Sequence, residues 1–307
     1  MTTLESALVD YLALRRSLGY KLERGSELLA DFVAYLDRAG ADHVTIDLAV
    51  AWATLPVNPE SRWRAQRLGV ARCFARYLNA IDLEHEVPPT RLLPPGTTRP
   101  APYLYSEAEI AQLMAAARSL RTRLYAATVE TVIGLLAVSG LRVGEIIRLD
   151  RDDVDFELGV LIVRNSKAGK SRMVPLHLTS TEALTAYAIE RDSLLPEPVA
   201  PSFFISTAGT RLLSGNLNTV FGKMLGRAGL PPRSARRGPR LADLRHSFAV
   251  STVLDWHRSA AEVQANLPLL SSFLGHANPV STYWYLSASP ELLVAAAARL
   301  DTAGAGS

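Results

Sequence analysis

Prolines are concentrated in residues 87–102, and this stretch most constrains how the chain can fold. Six of its residues are proline: 88, 89, 94, 95, 100 and 102. Proline has a fixed φ and no backbone N–H, so such a segment is stiff, extended and poorly suited to a hydrophobic core. A chain of 307 residues also exceeds the usual size of a single core. We therefore predict two domains, residues 1–87 and 103–307, joined by a linker at residues 88–102.

The composition is that of a folded globular protein. Apolar residues make up 48% of the chain and charged residues 21%. Cys73 is the only cysteine, so neither an intrachain disulfide nor a cysteine-rich zinc site is possible. The first residues lack a signal-peptide pattern, and no apolar run approaches the roughly 18 residues that a membrane-spanning helix needs. We expect a cytoplasmic protein with no membrane partner.

Positive charge is concentrated in two arginine runs, although the formal net charge is only +3. The first, in residues 61–77, contains no acid and comprises Arg62, Arg64, Arg67, Arg72 and Arg76. The second, in residues 227–245, has one acid and comprises Arg227, Arg233, Arg236, Arg237, Arg240 and Arg245. Each run is compatible with a solvated helix face or with contacts to phosphate. The sequence leaves both alternatives open.

The region before the prolines has the periodicity of α-helices. Helical patterns cover residues 4–19, 25–39, 48–55 and 61–80. In the last of these, Trp63, Val70, Phe74 and Tyr77 share one face, and Arg72 and Arg76 project from the opposite side. We predict a small all-helical domain with these aromatic residues in its core and the arginines facing solvent or phosphate.

The region after the prolines combines helices with one β-hairpin. Ser106 and Glu109 form a capping box that predicts a helix to about residue 117. Residues 160–164 and 172–176 are rich in β-branched residues and flank a polar turn at 165–170, which indicates a hairpin. Further helices are predicted at 129–138, 181–191, 214–228, 241–256 and 267–275, with a last one from 289. The predicted fold is mainly α with a small antiparallel sheet.

Four motifs in the second region follow one another in a characteristic order. They are Ser-Gly-Leu-Arg-Val-Gly-Glu-Ile at 139–146, Asn-Ser-Lys-Ala-Gly-Lys-Ser-Arg-Met-Val-Pro-Leu at 165–176, Leu-Arg-His-Ser-Phe-Ala at 244–249, and Leu-Gly-His at 274–276 followed by Tyr285. The sequence has no P-loop, His-Glu-x-x-His or dinucleotide-binding glycine pattern. The four motifs together resemble the conserved boxes of the tyrosine recombinases of the phage-integrase type.

This resemblance implies a fold and a set of residue roles. The fold is a helical, SAM-like core-binding domain followed by an α+β catalytic domain of the DNA breaking-rejoining type. The implied roles are phosphate binding by Arg142 and Arg245, protonation of the leaving 5′-oxygen by Lys167, hydrogen bonding to a phosphate oxygen by His276, and nucleophilic attack by Tyr285 to form a 3′-phosphotyrosine. Guanidinium groups suit this chemistry because they bind phosphate oxygens bidentately without a metal ion. Neither a metal nor a nucleotide cofactor is implied.

Two of these assignments have an alternative residue, and the role of Glu145 has two interpretations. Lys170 lies in the same predicted turn as Lys167, and Tyr283 lies two residues before Tyr285. The place of Lys167 in its motif and the interval from His276 to Tyr285 favour the first-named residue of each pair. Glu145, three residues after Arg142, either orients that arginine or forms an exposed ion pair with it.

The motif that contains Arg245 departs from the family pattern at one position. The family pattern is His-x-x-Arg, but the residue three before Arg245 is Ala242. Alanine cannot handle a proton, and losing a general acid–base group costs about 10²- to 10⁴-fold in rate. A compensated natural variant, a decayed enzyme and a deliberate substitution all remain open. We interpret the neighbouring His246 as structural, because adjacent residues of a helix point in different directions and its side chain therefore points away from that of Arg245.

The predicted function is site-specific DNA recombination or integration for a mobile element. The alternatives are an accessory recombinase with impaired catalysis and, from a different class, an enzyme resembling type IB topoisomerases. The predicted partner is double-stranded DNA, contacted by Arg62, Arg64, Arg67, Arg72, Arg76, Lys170, Arg172, Arg236 and Arg237. Family members act as tetramers, so we expect a homotetramer, with related recombinases as further candidate partners. The apolar segment 291–300 either docks into a neighbouring subunit or packs within its own chain.

Overall fold

The structure is a computed structural model that describes residues 3–55, 61–94, 102–164, 171–231, 238–259, 262–276 and 282. The chain divides into two compact units, residues 1–100 and 101–307. The first unit has one hydrophobic core, and the second has a large core together with a smaller cluster. The predicted fold class, mainly helical with a small antiparallel sheet, is confirmed.

The described residues of the first unit form four helices around an aromatic core. They are α1 (Leu4–Ser17), α2 (Glu23–Arg38), α3 (Ile46–Thr54) and α4 (Ser61–Asn79). Thr3 and Thr45 begin α1 and α3 by accepting hydrogen bonds from backbone N–H groups of the first turn. In the core, the rings of Phe32 and Trp52 lie 4.8 Å apart, and Phe74 is fully buried. The aromatic face predicted for α4 thus contributes to this core.

Two arginines of the first run, the buried Arg67 and the half-buried Arg72, make hydrogen bonds within their own unit. The Arg67 guanidinium lies 3.8 Å from the centre of the Trp52 ring, and its Nη2 donates to Asp31 Oδ2 at 3.1 Å. Arg72 donates to the carbonyls of the prolines at 88 and 89, at 2.7 and 2.8 Å. The contacts of Arg67 and Arg72 with phosphate stay a prediction, and in this structure both guanidinium groups are engaged by their own chain.

The described residues of the second unit form seven α-helices, one 3₁₀ turn and a small sheet. Its elements are α5 (Glu107–Arg118), α6 (Arg123–Ser139), α7 (Val143–Arg148), a 3₁₀ turn (Arg151–Asp153), β1 (Val154–Asp155), β2 (Val160–Val163), β3 (Arg172–Pro175), α8 (Leu178–Leu194), α9 (Ser214–Arg227), α10 (Asp243–Arg258) and α11 (Val263–Leu274). Because α6 is apolar around most of its circumference, it lies centrally and contacts α5, α8 and α10.

The sheet has the strand order β1-β2-β3, and both pairings are antiparallel. Leu161 faces Val174 across β2 and β3, and both side chains are buried. At the turn end of the hairpin, Val163 pairs with Arg172. This register brings Arg172 to the start of β3, directly after the predicted turn.

Some boundaries differ from the sequence-based prediction. Helix α6 begins at Arg123, six residues before the predicted start, and α11 begins at Val263 although Pro268 lies inside it. Proline usually marks a helix boundary, because it lacks the N–H that the preceding turn needs. The helix predicted from residue 289 lies outside the described residues. Within the described ranges, each helix is too short or too polar to cross a lipid bilayer.

The Arg67 contacts generate a stability prediction. We expect Arg67→Ala to lower the free energy of unfolding by about 1–3 kcal/mol, because it removes an ion pair and the stacking on Trp52. The matched control is Arg62→Ala on the same helix; Arg62 is exposed, so its loss should cost less than about 0.5 kcal/mol. Urea unfolding followed by tryptophan fluorescence would measure both. Equal effects of the two substitutions would contradict the structural role of Arg67.

Candidate active site

The first motif places Arg142 at the start of a short helix. Helix α6 ends at Ser139, and Gly140 caps it in the left-handed conformation with φ of +58°. A Cβ atom at position 140 would lie 2.5 Å from the Phe248 ring, so this turn requires glycine. Arg142 then precedes α7, and its side chain is 32% exposed. Its Nη2 donates to the Gly275 carbonyl at 3.0 Å.

Glu145 is a buried carboxylate that holds two arginines. It accepts hydrogen bonds from the Arg142 backbone N–H at 3.0 Å and from Arg142 Nη1 at 2.8 Å. Arg172 adds two, from Nη1 at 3.1 Å and Nη2 at 2.9 Å. Burial by itself raises the pKa of Glu145, but the hydrogen bonds and charges of Arg172 and Arg142 outweigh burial and lower that pKa to about 2. Glu145 is therefore ionised at neutral pH, and the alternative of an exposed ion pair is wrong.

The third motif places Arg245 between two helix ends. It lies in the first turn of α10 and is 6% exposed. Its Nη1 donates to the Gly140 carbonyl at 2.6 Å, and its Nη2 donates to the Leu274 carbonyl at 2.7 Å. Carbonyls at helix C-termini lack intrahelical partners and carry partial negative charge. Arg245 thus joins the ends of α6 and α11.

The fourth motif lies at the end of α11 and places His276 beside these arginines. Gly275 ends the helix with φ of +66°, and the His276 backbone N–H donates to the Ser271 carbonyl at 3.0 Å. The His276 Nδ1 lies 2.7 Å from Thr282 Oγ1, and Thr282 is buried. Burial, together with the positive charges of Arg245, Arg142 and Arg172, lowers the pKa of His276 to about 4. The imidazole is therefore neutral at pH 7.

These contacts bring four distant segments of the chain to one place. Three guanidinium groups (Arg142, Arg172 and Arg245) meet one carboxylate and one neutral imidazole. The named groups therefore carry two more positive than negative charges. A cluster of forked cationic donors with excess positive charge is suited to binding a phosphate group.

The residues around Arg245 include Ala242, which occupies the position of the histidine in the family pattern. Ala242 is exposed and precedes α10 with φ of −66° and ψ of −17°, a conformation open to histidine as well. His246 is buried, and its Nε2 lies 3.9 Å from Oδ1 of the buried Asp243. Asp243 in turn accepts from Arg240 Nη2 at 2.6 Å. These contacts support the interpretation of His246 as structural.

Several predicted residues lie outside the described part of the chain. They are Lys167, Lys170, Arg236, Arg237, Tyr283 and Tyr285. Their assignments therefore stay predictions that rest on the motifs. The segment 291–300 and its docking also lie outside the described residues.

The structure adds residues to the site that the sequence-based prediction missed or assigned elsewhere. Arg172 was predicted to contact DNA, but its side chain is 13% exposed and is bound to Glu145. Thr282 and Gly275 were not singled out. The helix-ending position of Gly275 was visible in the sequence as a glycine after an apolar run. No comparable sequence pattern identified Thr282, whose contact with His276 depends on the tertiary structure.

A separate polar cluster in the first unit has a different chemistry. A cavity of about 730 Å³ is lined by carboxylates, including Asp37 and Asp82, and by His43 and His85. Among the described residues, His43, Asp82 and His85 are close enough to share a metal ion. However, His85 Nδ1 accepts the Val44 backbone N–H at 3.0 Å, so a neutral His85 carries its proton on Nε2 and has no lone pair left for a metal. The carboxylates that line the cavity also disfavour phosphate. We therefore place neither a metal ion nor DNA in this cavity.

The lowered pKa of His276 can be measured directly. We expect NMR titration of the free protein to give an apparent pKa near 4, with the His276 resonance assigned by its loss in His276→Gln. The unfolded state binds more protons than the folded state between pH 6.5 and about 4. The stability contribution of this group is therefore lost as pH falls through that window. A titration midpoint near 6.5 would contradict the charge environment described here.

Comparison with known proteins supports the same interpretation. Residues 104–291 match the model of the phage integrase family. The chain is 39% identical to "Putative integrase/recombinase y4rB" of Sinorhizobium fredii (strain NBRC 101917 / NGR234) over 98% of both chains, and 42% identical to "Putative integrase/recombinase y4rE" of the same strain over 94% and 93%.

A solved structure shares the fold at low sequence identity. The Tn1549 transposon integrase in complex with a circular intermediate DNA superposes with a TM-score of 0.68 at 17% identity, covering 98% of this chain and all of that one. The family match covers more than half of the chain, and the y4rB match extends along nearly its whole length. The chain therefore belongs to the phage integrase family, the tyrosine recombinases that carry out site-specific DNA recombination.

Proposed function

We propose that this recombinase cleaves DNA through a covalent 3′-phosphotyrosine formed by Tyr285. The observation that carries the proposal is the convergence of Arg142, Arg245 and His276, which come from three separate motifs. The two arginines donate to the carbonyls of Gly140, Leu274 and Gly275, and the last of these residues directly precedes His276. We expect the scissile phosphate to bind at this cluster.

The described residues account for the binding of the phosphate and the stabilisation of its transition state. Negative charge grows on the non-bridging oxygens as the nucleophile attacks phosphorus, and fixed guanidinium groups stabilise that charge without reorganising. Burial and the nearby arginine charges lower the pKa of His276, so it is neutral before DNA binds, and a neutral imidazole can still donate one hydrogen bond. A bound phosphate partly offsets the arginine charges and therefore raises the pKa of His276.

The strand-cleavage step exchanges one phosphodiester bond for another and requires two proton transfers. The Tyr285 oxygen forms a bond to phosphorus while the bond to the 5′-oxygen breaks. The departing 5′-oxygen takes a proton from Lys167, and the phenol proton of Tyr285 must pass to a base. The new phosphodiester retains the energy of the old one, so rejoining to another 5′-hydroxyl requires no nucleotide cofactor.

Ala242 weakens the transfer of the phenol proton. Its methyl group cannot accept a proton, and in the family pattern this position is a histidine. We propose that turnover is reduced for this reason. A second candidate function, an accessory recombinase that binds DNA without efficient cleavage, rests on the same observation.

The wider biological setting is also proposed. The relatives y4rB and y4rE bear the name integrase, which supports a role in moving or integrating a DNA element. We propose that the protein acts as a tetramer on double-stranded DNA, alone or with related recombinases. On α4, Arg62 and Arg76 are exposed and Arg64 is half-buried, so these three are the arginines of the first run that we propose for phosphate contacts.

The nucleophile assignment predicts a clear difference between two tyrosines. On a nicked suicide duplex that carries the ends of the native element, Tyr285→Phe should abolish the covalent protein–DNA band on a denaturing gel. The matched control, Tyr283→Phe, should retain that band. An adduct that persists in Tyr285→Phe and disappears in Tyr283→Phe would reverse the assignment.

The departure at position 242 predicts a gain of activity. Because histidine can handle a proton where alanine cannot, Ala242→His should raise the rate of adduct formation by up to about 10²-fold, the lower end of the acid–base contribution. The measurement is a single-turnover time course on the same duplex. An unchanged rate would show that another group already compensates.

The alternatives give different outcomes in the same set of assays. An accessory protein would bind the duplex but form no adduct, even after Ala242→His. An enzyme of the topoisomerase type would relax a supercoiled plasmid without joining strands from two duplexes. A recombinase would join strands from two duplexes.

A further inference from the structure

We propose that Arg172 is a positioning residue that joins the β-hairpin to the phosphate-binding arginine Arg142 and holds that arginine in its working orientation. The inference rests on the proposed function of Arg142. It replaces the sequence-based expectation that Arg172 itself contacts DNA.

The contacts of Arg172 bridge three parts of the catalytic unit. From the first position of β3, its two terminal nitrogens donate to both oxygens of Glu145, at 3.1 and 2.9 Å. Its Nε donates to the Phe273 carbonyl in the last turn of α11, at 2.9 Å. All three of its nitrogens are therefore engaged by its own chain, and its side chain is only 13% exposed. A side chain held in this way is poorly placed to reach a DNA backbone.

Arg142 completes a closed ring with Arg172. Glu145 accepts from both arginines, and Arg142 also donates to the Gly275 carbonyl, two residues after Phe273. Glu145 is 3% exposed, so its charge requires partners inside the protein. If Arg172 is removed, Arg142 is the cationic group that remains hydrogen-bonded to this carboxylate. We expect the Arg142 guanidinium then to turn toward Glu145 and away from the orientation that serves phosphate.

The backbone at Gly275 is shaped around the Arg172 guanidinium. A Cβ atom at position 275 would lie 2.7 Å from Arg172 Nη1 and 2.8 Å from its Cζ. Gly275 also has φ of +66°, which favours glycine independently. This close approach fixes β3 against the residue that precedes His276. The hairpin strand, Arg142 and the fourth motif are therefore held by one side chain.

The first test needs no DNA and measures the order of Arg142 in the free protein. NMR detects separate Nη protons for a guanidinium whose rotation is restricted, and Arg142→Lys assigns the Arg142 signals. We expect separate signals in the wild type and averaged or displaced signals in R172Q. R172K should behave like R172Q, because an ammonium cannot span both Glu145 oxygens and the Phe273 carbonyl.

The matched control is Arg164, on the other side of the same hairpin. It pairs with Asp153, and its side chain is 58% exposed. R164Q should therefore leave the Arg142 signals unchanged. If R172Q does not fold, as judged by its thermal transition, R172K provides the same comparison with the positive charge retained. Unchanged Arg142 signals in the folded variant would overturn the proposal.

The second test measures the consequence for cleavage. On the suicide duplex, R172Q should lower the rate of adduct formation by about 10²-fold, which is typical of a small misplacement of a catalytic group. A methylphosphonate at the scissile position removes the negative charge that Arg142 is proposed to neutralise. The R172Q defect should be smaller on this substrate, as should that of Arg142→Ala, and R164Q should match the wild type on both.

The outcomes separate the positioning role from the proposed function. An equal R172Q defect on both substrates, while the wild type cleaves normally, would overturn positioning and leave the function intact. Averaged Arg142 signals in R172Q, together with no adduct from the wild type, would support positioning and count against the function.

Discussion

The hydrogen bonds of the ionised Glu145 carboxylate hold together the arginine cluster of the second unit. Moving a carboxylate out of water is costly unless nearby charges and hydrogen bonds compensate. Here four hydrogen bonds from two arginines do so, and they lower the pKa of Glu145 to about 2 despite its burial. The site therefore contains an anion of its own that orients cationic groups before any phosphate arrives. Such preorganisation is what electrostatic catalysis requires.

Backbone carbonyls extend this arrangement beyond Glu145. Arg245 donates to the carbonyls of Gly140 and Leu274, and Arg142 donates to that of Gly275. Both glycines adopt positive φ at the end of a helix, and at both positions a Cβ atom would collide with a neighbouring side chain. The two helix ends thus have two roles, because they reverse the chain and they present acceptors to Arg142 and Arg245. A substitution at either glycine would disturb the orientation of an arginine without touching it chemically.

Arginines in this protein divide into those that hold the fold and those that are open to a ligand. Arg67 stacks on Trp52, and Arg191 is 1% exposed with its Nη1 bound to the Phe203 carbonyl. Arg62 and Arg76 lie on the same helix as Arg67 but are exposed. A guanidinium group can stack on an aromatic ring, bind a carboxylate bidentately or donate to carbonyls. A run of arginines can therefore contain both buried residues that hold the fold and exposed residues, and their spacing in the sequence looks the same.

The amino-acid sequence by itself determined the helical periodicity, the β-hairpin, the family motifs and the identities of Arg142, Arg245 and His276 as candidates. These features are local, since they depend on spacing along a helix or strand and on short motifs. Only the tertiary structure decided that Arg172 belongs to the Glu145 network, that Arg67 and Arg72 are held by their own unit, and that Thr282 contacts His276. These contacts join residues that are 27, 36, 16 and 6 positions apart in the chain. Their partners are set by how helices and strands pack together, and a pattern in one segment carries no information about the segment that packs against it.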